Sequence, residues 1–193
     1  MSRTKNYCTL LILIAVMIAI PVSCSNKLEY IKIRADWPYY ETAEDLINAS
    51  DVVFKGTITE INYKIIDYKY GKEVENCNGD FENKMLFTVY YVNPIEVYKG
   101  DNEGAFEITV IGGRSDRDAE KQLKVMKNSG LSKEYSGIPV LSGKQLLPEE
   151  NSEYIFCITQ SGDFYSPANI DQSIVTTDSE FGKELQTAFS DHS

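Results

Sequence analysis

Apolar side chains alternate with polar ones in three stretches of this 193-residue chain, and no other feature constrains the fold as strongly. The stretches are residues 51–61, 85–100 and 104–111. In the first, Phe54, Gly56 and Ile58 fall on one face, as expected for a β-strand, whose side chains alternate between opposite faces. An apolar run over residues 153–159 predicts a further strand that is buried on both faces. The sequence therefore predicts a mainly β domain, and the first strand is expected to continue to about Tyr68.

Glycine and proline interrupt these strands at positions where a sheet can bend. Gly56 lies inside the first strand and predicts a bulge that curls the sheet towards a barrel. Pro94 lies inside the second and predicts an edge or a bulge, because proline donates no backbone hydrogen bond. The polar residues 69–84 predict a long hairpin connection, with Asn78 and Gly79 as a turn centre. These breaks favour a single closed or partly open β-barrel.

Helical spacing appears on both sides of the strands. Thr42, followed by acidic residues, predicts the capped start of a short helix. Apolar residues at helical spacing predict a second helix over residues 118–127 and a third through Phe181 and Phe189. Short extended pieces are predicted over residues 138–141, 163–167 and 174–177. The strands and flanking helices together predict an α+β domain over residues 41–190.

The N-terminus has the pattern of an export signal. Arg3 and Lys5 precede an apolar run of thirteen residues from Cys8 to Ile20. A positive start and an apolar core of this length are typical of a signal peptide, whereas a membrane-spanning helix needs about twenty apolar residues. Residues 1–23 are therefore predicted to be a helical signal peptide, and residues 24–40 a tether and lead-in to the domain.

The end of this signal resembles the bacterial lipobox, in which a small residue precedes a cysteine that becomes diacylated. Ser23 precedes Cys24 here, and Pro21 stands where leucine is usual. The resemblance implies an exported lipoprotein held on the outer face of the cell membrane through Cys24, since two acyl chains suffice for stable anchoring. Conventional cleavage near residues 22–25 and an uncleaved short anchor are the alternatives.

The charge of the chain excludes one class of partner. Residues 1–23 hold two of the 19 basic residues and none of the 29 acidic ones, so the remainder has a formal charge of −12. Nucleic-acid binding requires a basic surface, and anionic lipid likewise attracts basic segments. We therefore expect no nucleic-acid partner and expect contact with the membrane through the lipid anchor.

Four stretches resemble the bacterial exported proteins with a netrin/TIMP-like OB-fold domain, most of them uncharacterised. They are residues 46–57, 95–101, 108–113 and 147–156, which read LINASDVVFKGT, IEVYKGD, ITVIGG and LPEENSEYIF. The resemblance implies a single OB-like barrel with flanking helices. The animal TIMP proteins inhibit metalloproteases through a free N-terminal cysteine that ligates the protease's zinc, whereas Cys24 here would carry lipid. The inhibitory activity of those relatives therefore does not carry over directly, and an inhibitor of an exported protease is the alternative function rather than the first expectation.

Residue types that support catalysis are scarce. His192 is the only histidine and lies among the last three residues, so neither a Ser-His-Asp triad nor a histidine-rich zinc site is expected. A pair of carboxylates can act as the acid and base of a hydrolase, which is the third function considered, but no pair stands apart in the sequence. We expect no enzyme activity, metal or cofactor. Cys77 and Cys157 either form a disulfide in an oxidising exterior or remain separate thiols.

Tyrosines on the predicted strands form the candidate binding surface. Tyr63, Tyr68, Tyr90 and Tyr91 are predicted to line one face of the barrel, since OB-folds commonly bind ligands on one face. The alternative is that they are ordinary half-buried strand residues. The sequence as a whole predicts a non-catalytic binding module of the cell envelope, with a protein or a glycan as its ligand.

Overall fold

The structure is a computed structural model that describes residues 29–101, 104–143 and 146–190. The strands in these ranges are β1 (Tyr30–Ile33), β2 (Val52–Asp67), β3 (Lys72–Glu73), β4 (Lys84–Lys99), β5 (Phe106–Ile111), β6 (Ile138–Leu141), β7 (Glu153–Ser161), β8 (Phe164–Pro167) and β9 (Ile174–Val175). The helices are α1 (Ala43–Ala49), α2 (Ala119–Ser129) and α3 (Glu180–Ser190), with a 3-10 turn at Leu131–Lys133. The predicted mainly β fold with flanking helices is confirmed.

The strand pairings of the larger sheet form a circuit that begins and ends at β2. β2 pairs with β4, β4 with β5, β5 with β8, β8 with β7, and β7 again with β2. All of these pairings are antiparallel except that of β5 with β8, which meet in parallel at Ile108 and Tyr165. β3 adds to β2 and β9 adds to β7. β1 and β6 form a separate parallel pair.

β2 and β4 bend where the sequence predicts a bulge. Their register shifts between Lys55 and Gly56, and Gly56 lies opposite Pro94. The shift leaves Ile95 as an extra residue on β4, directly after the proline. A Cβ atom at position 56 would lie 2.8 Å from the backbone oxygen of Asn93. Only glycine permits the two strands to approach this closely.

Alternation along the strands divides the apolar side chains between two clusters. In the inner cluster, Phe54 stacks on Phe106 and Phe156 with ring centroids 4.4 and 5.0 Å apart. Burying each of these rings contributes about 1.5–3 kcal/mol. α2 packs on this cluster through Met126. The side chain of Val53 points to the opposite face of β2 from that of Phe54 and belongs to the outer cluster.

The outer cluster lies between the sheet and two helices. Leu46 of α1 and Leu185 of α3 are fully buried there, together with Ile155 and Cys157 of β7. β7 therefore contributes to both clusters, because Phe156 between these two residues belongs to the inner one. This confirms the predicted strand that is buried on both faces.

The packed unit extends into residues 24–40, which the sequence predicted as a tether and lead-in. β1 pairs with β6, although more than one hundred residues separate the two strands in the chain. The side-chain amide of Asn169 donates a hydrogen bond to the Pro38 carbonyl, and the Tyr40 amide donates to Gln172 at 3.1 Å. The folded domain therefore begins before residue 41. Such long-range pairing has no signal in the local sequence pattern.

Candidate functional site

The four tyrosines predicted to share a ligand face lie on different sides of the sheet. Tyr63 and Tyr90 are each 3 % exposed and belong to the inner cluster. Burial raises the pKa of Tyr90 to about 12. Tyr68 is 50 % exposed directly after β2, and Tyr91 is half-buried on the face opposite to Tyr90. The four tyrosines therefore do not share one face, because alternation turns Tyr63 and Tyr90 inward and leaves Tyr68 and Tyr91 on the outer side.

A cavity of about 420 Å³ lies on the outer face of the sheet, between the strands and the segment Ala35–Pro38. We name this segment the strap. Ile66, Phe87 and Thr109 line the cavity, and each directly follows a residue of the inner cluster, so each points to the outer face. The apolar walls are Ile66, Phe87, Ile111, Phe164, Pro38 and Pro167. Small-molecule sites are typically cavities of about 300–1,000 Å³ with apolar walls and few polar groups.

Besides Tyr68, three residues with aliphatic hydroxyl groups line the cavity, namely Thr109, Thr159 and Ser166. Thr109 Oγ1 donates to the Tyr165 carbonyl at 3.1 Å and lies 3.4 Å from Ser166 Oγ. Thr159 Oγ1 donates to the Ser166 carbonyl at 3.5 Å. The protons of both threonines are thus engaged by the sheet. What these hydroxyls retain for a bound molecule is mainly the ability to accept hydrogen bonds.

Trp37, the only tryptophan in the sequence, lines the same cavity from the strap. Its indole Nε1 is buried and has no hydrogen-bond partner among the described residues. A buried donor without a partner costs about 1–3 kcal/mol, and the large majority of buried polar groups in proteins are paired. Because no water-sized atom can reach it, this N–H group faces protein atoms rather than the open space of the cavity.

A half-buried lysine stands beside the cavity. Lys64 Nζ lies 2.6 Å from a Glu107 carboxylate oxygen and 3.2 Å from one of Glu73. It also lies 5.7 Å from the ring centroid of Phe164, a cavity wall. Burial by itself lowers the pKa of this ammonium group, but its hydrogen bonds, with Glu107 foremost, outweigh burial and raise the pKa. The charge of Lys64 is therefore compensated by two carboxylates.

A second polar cluster surrounds Arg114 in the loop after β5. The Arg114 side chain is 1 % exposed, and its Nη2 and Nε atoms lie 2.6 and 3.0 Å from the Asp116 carboxylate. Its Nη1 donates to the Pro148 carbonyl, and Glu149 bridges it to Arg117. The hydrogen bond from Arg114 lowers the pKa of the Asp116 carboxyl. This network ties the loop after β5 to the loop before β7, and its charges are paired.

Cys77 and Cys157 are both buried free thiols. Cys77 lies in the connection between β3 and β4 and belongs to the inner cluster, whereas Cys157 lies in β7 and belongs to the outer cluster. Of the two alternatives left open by the sequence, separate thiols describe this structure. Burial raises the pKa of Cys157 to about 12 and also raises that of Cys77.

A larger and more open groove, of about 820 Å³, lies between α1 and α3. Glu44, Glu180, Glu184 and Lys183 line it together with Ile47, and most of its lining side chains are exposed. Among the described residues that line it, none carries a buried side-chain nitrogen or oxygen without a partner. The smaller cavity is the better candidate site, because its walls are mostly apolar and Asp36 is the only charged residue among the described residues that line it.

The strap is the part of the site that the sequence interpretation missed. Trp37 is followed by Pro38, Tyr39 and Tyr40, which is an aromatic-rich run inside the predicted tether. Flexible linkers are rich in glycine, serine and charged residues. This aromatic run was therefore the sequence feature that could have indicated a packed segment. Of the predicted tyrosines, Tyr68 alone lines the cavity.

Three predicted features lie outside the described residues, namely the signal peptide over residues 1–23, Cys24 and His192. In the described ranges, no group of three or more His, Cys, Asp or Glu side chains is placed to hold a metal ion. Nor does any helix in these ranges have the length and apolar character needed to cross a membrane. No protein-family model matches this chain, and no curated protein is significantly similar to it.

Proposed function

We propose that this protein is a cell-envelope lipoprotein whose domain is a non-catalytic binding module, with its ligand in the cavity beneath the strap. The observation that carries the proposal is the cavity itself. Apolar walls from β2, β4, β5 and β8 and the hydroxyl groups of Thr109, Thr159 and Ser166 line about 420 Å³. The size and lining favour a small molecule over the protein or glycan ligand expected from the sequence.

The fold that we propose for this module is an OB-like barrel of the netrin/TIMP-like kind. The circuit of pairings through β2, β4, β5, β8 and β7 supports it. So does the bulge at Gly56, because bulges of this kind curl a sheet. In this arrangement the inner cluster fills the barrel, and the strap, α1 and α3 cover part of its outer face.

The envelope location rests on the export signal and on Cys24. The strap begins eleven residues after Cys24, and a fully extended chain spans at most about 3.6 Å per residue. The cavity would then lie within about 40 Å of the anchor. A ligand in this position is accessible from the membrane surface.

No carboxylate in the described chain favours the hydrolase alternative. The acid of such an enzyme has a raised pKa. Wherever the pKa shift of a described aspartate is resolved, at Asp80, Asp116 and Asp178, it is downward. Hydrogen bonds from Lys84, Arg114 and Thr176 are the leading causes. The protease-inhibitor alternative is likewise supported by no contact described above.

The location is tested by replacing the predicted anchor. In cells that express the full chain, Cys24→Ser is expected to release the protein from the membrane fraction into the medium, and globomycin is expected to block maturation of the wild type. Unchanged membrane retention of Cys24→Ser and insensitivity to globomycin would overturn the lipoprotein assignment.

The binding site is tested through the fluorescence of Trp37, which reports from the cavity wall. Small-molecule fractions of the envelope are titrated into the full chain, and at least one fraction is expected to shift the emission saturably. Ser166→Leu places a larger side chain in the cavity and is expected to abolish the shift. The matched control is Ser132→Leu, whose exposed position is remote from the cavity lining. A shift that survives Ser166→Leu would contradict the site.

A further inference from the structure

We propose that this cavity selects a largely apolar molecule that carries one positively charged amino group, of which an alkylammonium ion is the simplest example. The inference rests on the proposed function, because it assigns the ligand class of the same cavity. It follows from three properties of the lining: the sign of its charge, its aromatic rings and the hydrogen-bonding capacity of its hydroxyl groups.

The charge of the lining is negative. Among the described residues that line the cavity, Asp36 of the strap is the only charged one. The Lys64 ammonium beside the cavity does not line it, and the carboxylates of Glu107 and Glu73 hold this cation. One ammonium and two carboxylates leave that group with a net negative charge. A carboxylate or phosphate in the cavity would find no lining cation to pair with, whereas an ammonium ion would find Asp36.

Four aromatic side chains line the cavity, namely Trp37, Tyr68, Phe87 and Phe164. Tyr68 is 50 % exposed, and Trp37 and Phe164 are half-buried, so these rings keep accessible surface. The face of an aromatic ring attracts a cation, and tryptophan does so most strongly. Because the Lys64 ammonium already lies over the Phe164 ring, we assign Trp37 and Tyr68 to the ammonium group of the ligand. The remaining apolar walls suit its hydrocarbon body.

The hydroxyl groups of the lining offer hydrogen-bond acceptors. Thr159 Oγ1 donates its proton to the Ser166 carbonyl, and Thr109 Oγ1 donates to the Tyr165 carbonyl. The contact of 3.4 Å between Thr109 Oγ1 and Ser166 Oγ therefore takes its proton from Ser166. Thr159 and Ser166 are half-buried, and their hydroxyl oxygens keep lone pairs for an N–H donor. An ammonium group, which has donors only, matches this lining.

The experiment uses the full chain in lipid nanodiscs and three photoreactive probes that share one six-carbon, diazirine-bearing chain. The first ends in a primary ammonium group, the second in an uncharged hydroxyl group and the third in a carboxylate. Labelling of the peptides that contain Ile66, Phe87 and Ile111 is measured by mass spectrometry as a function of probe concentration. Because wild type and variants are compared in identical nanodiscs, partitioning of each probe into lipid cancels.

In the wild type, the ammonium probe is expected to label these peptides most strongly and the carboxylate probe least. Asp36→Asn removes the negative charge and keeps the size of the side chain. Because Asp36 is exposed, the substitution is expected to lower ammonium labelling at sub-saturating concentration about threefold, as for an exposed ion pair. Labelling by the hydroxyl probe is expected to stay unchanged. The matched control is Asp101→Asn, which removes the same charge at an exposed position outside the lining and is expected to change neither.

Tyr68→Leu tests the contribution of the aromatic ring at a position where the protein tolerates substitution, because Tyr68 is half exposed. It is expected to lower ammonium labelling about threefold, as for a cation–π contact at an exposed site. Tyr68→Phe keeps the ring and is expected to retain the labelling. The control is Tyr70→Leu, because Tyr70 is 61 % exposed and does not line the cavity.

Two results would overturn the ligand class while leaving the proposed function standing. The first is saturable labelling by the hydroxyl or carboxylate probe that equals or exceeds labelling by the ammonium probe. The second is ammonium labelling that falls no further in Asp36→Asn and Tyr68→Leu than in their respective controls. If instead no probe labels saturably, or Ser166→Leu does not reduce labelling, the cavity is not a binding site and the proposed function fails with it.

Discussion

The guanidinium of Arg114 and the indole N–H of Trp37 are two buried polar groups with opposite surroundings. The guanidinium of Arg114 is paired with Asp116 and with the Pro148 carbonyl. The indole N–H of Trp37 is buried without a partner among the described residues. The paired guanidinium holds two loops together, whereas the indole N–H of Trp37 gains no hydrogen bond from the fold that buries it. At the residue scale, this difference separates the structural cluster from the candidate site.

Asp116→Asn tests the structural role of the Arg114 cluster. The substitution leaves a buried guanidinium without its carboxylate, and breaking a buried pair costs about 3–5 kcal/mol. Because the Asp116 side chain is 34 % exposed, we expect the free energy of unfolding to fall by a smaller amount, about 2 kcal/mol at pH 7. Urea unfolding measures it, with Asp163→Asn at an exposed position as the control.

The same pair predicts a pH dependence. Arg114 holds the pKa of Asp116 below its ordinary value, so the folded state binds the proton less readily than the unfolded state. The stabilisation is complete above the unfolded pKa of about 3.9 and is lost as the pH falls through the lower folded pKa. The difference between wild type and Asp116→Asn should therefore shrink on acidification below about pH 4. A difference that stays constant down to the acid transition would contradict the pairing.

The two buried thiols give a third prediction at this scale. Because burial raises the pKa of Cys77 and of Cys157, few thiolates are present at neutral pH, and only the thiolate reacts. Iodoacetamide is expected to leave both cysteines unmodified in the native protein and to modify both after denaturation without reductant. Peptide mapping decides this. Modification that requires reductant would show that the two cysteines are paired.

At the level of single elements, the local sequence pattern predicts turns and helix ends, because the conformation of a few neighbouring residues determines them. Asn78 and Gly79 form the predicted turn, with φ angles of 51° and 82°. α2, predicted over residues 118–127, spans Ala119–Ser129 and ends at Gly130, which adopts a left-handed conformation with φ 82°. Period-two alternation locates the strands, but it does not say which face curls inward. For that reason the sequence could not tell that Tyr90 is buried while Tyr91 lies on the outer face.

Gly56→Ala tests the bulge that bends β2 against β4. The added Cβ would lie 2.8 Å from Asn93 O and from Val92 Cγ1, and overpacking of this kind costs about 1–3 kcal/mol. The control is Gly79→Ala, where the backbone is left-handed but a Cβ meets no atom within 4 Å. We expect the upper part of that range at position 56 and about 1 kcal/mol at position 79. Equal losses in urea unfolding would contradict the close strand contact.

On the scale of the whole molecule, the candidate site exists only after the chain has folded. Its lining runs from Ala35 in the strap to Ala168 after β8. Local pattern predicts the strands that supply most of these residues, but it predicts neither their convergence nor the strap that covers them. The strap packs there because β1 pairs with β6 and because Asn169 holds the Pro38 carbonyl. Both contacts join residues more than one hundred positions apart, beyond the reach of sequence periodicity.

The proposed binding site is tested most directly by identifying the small molecules that co-purify with the protein from the envelope. Full-chain wild type, Ser166→Leu and the control Ser132→Leu are purified in identical nanodiscs, and the small molecules released by organic solvent are compared by mass spectrometry. We expect an apolar species at about one molecule per chain in the wild type and in Ser132→Leu, and its depletion in Ser166→Leu. The same species in equal amount from all three proteins, or none above the lipid background, would contradict it.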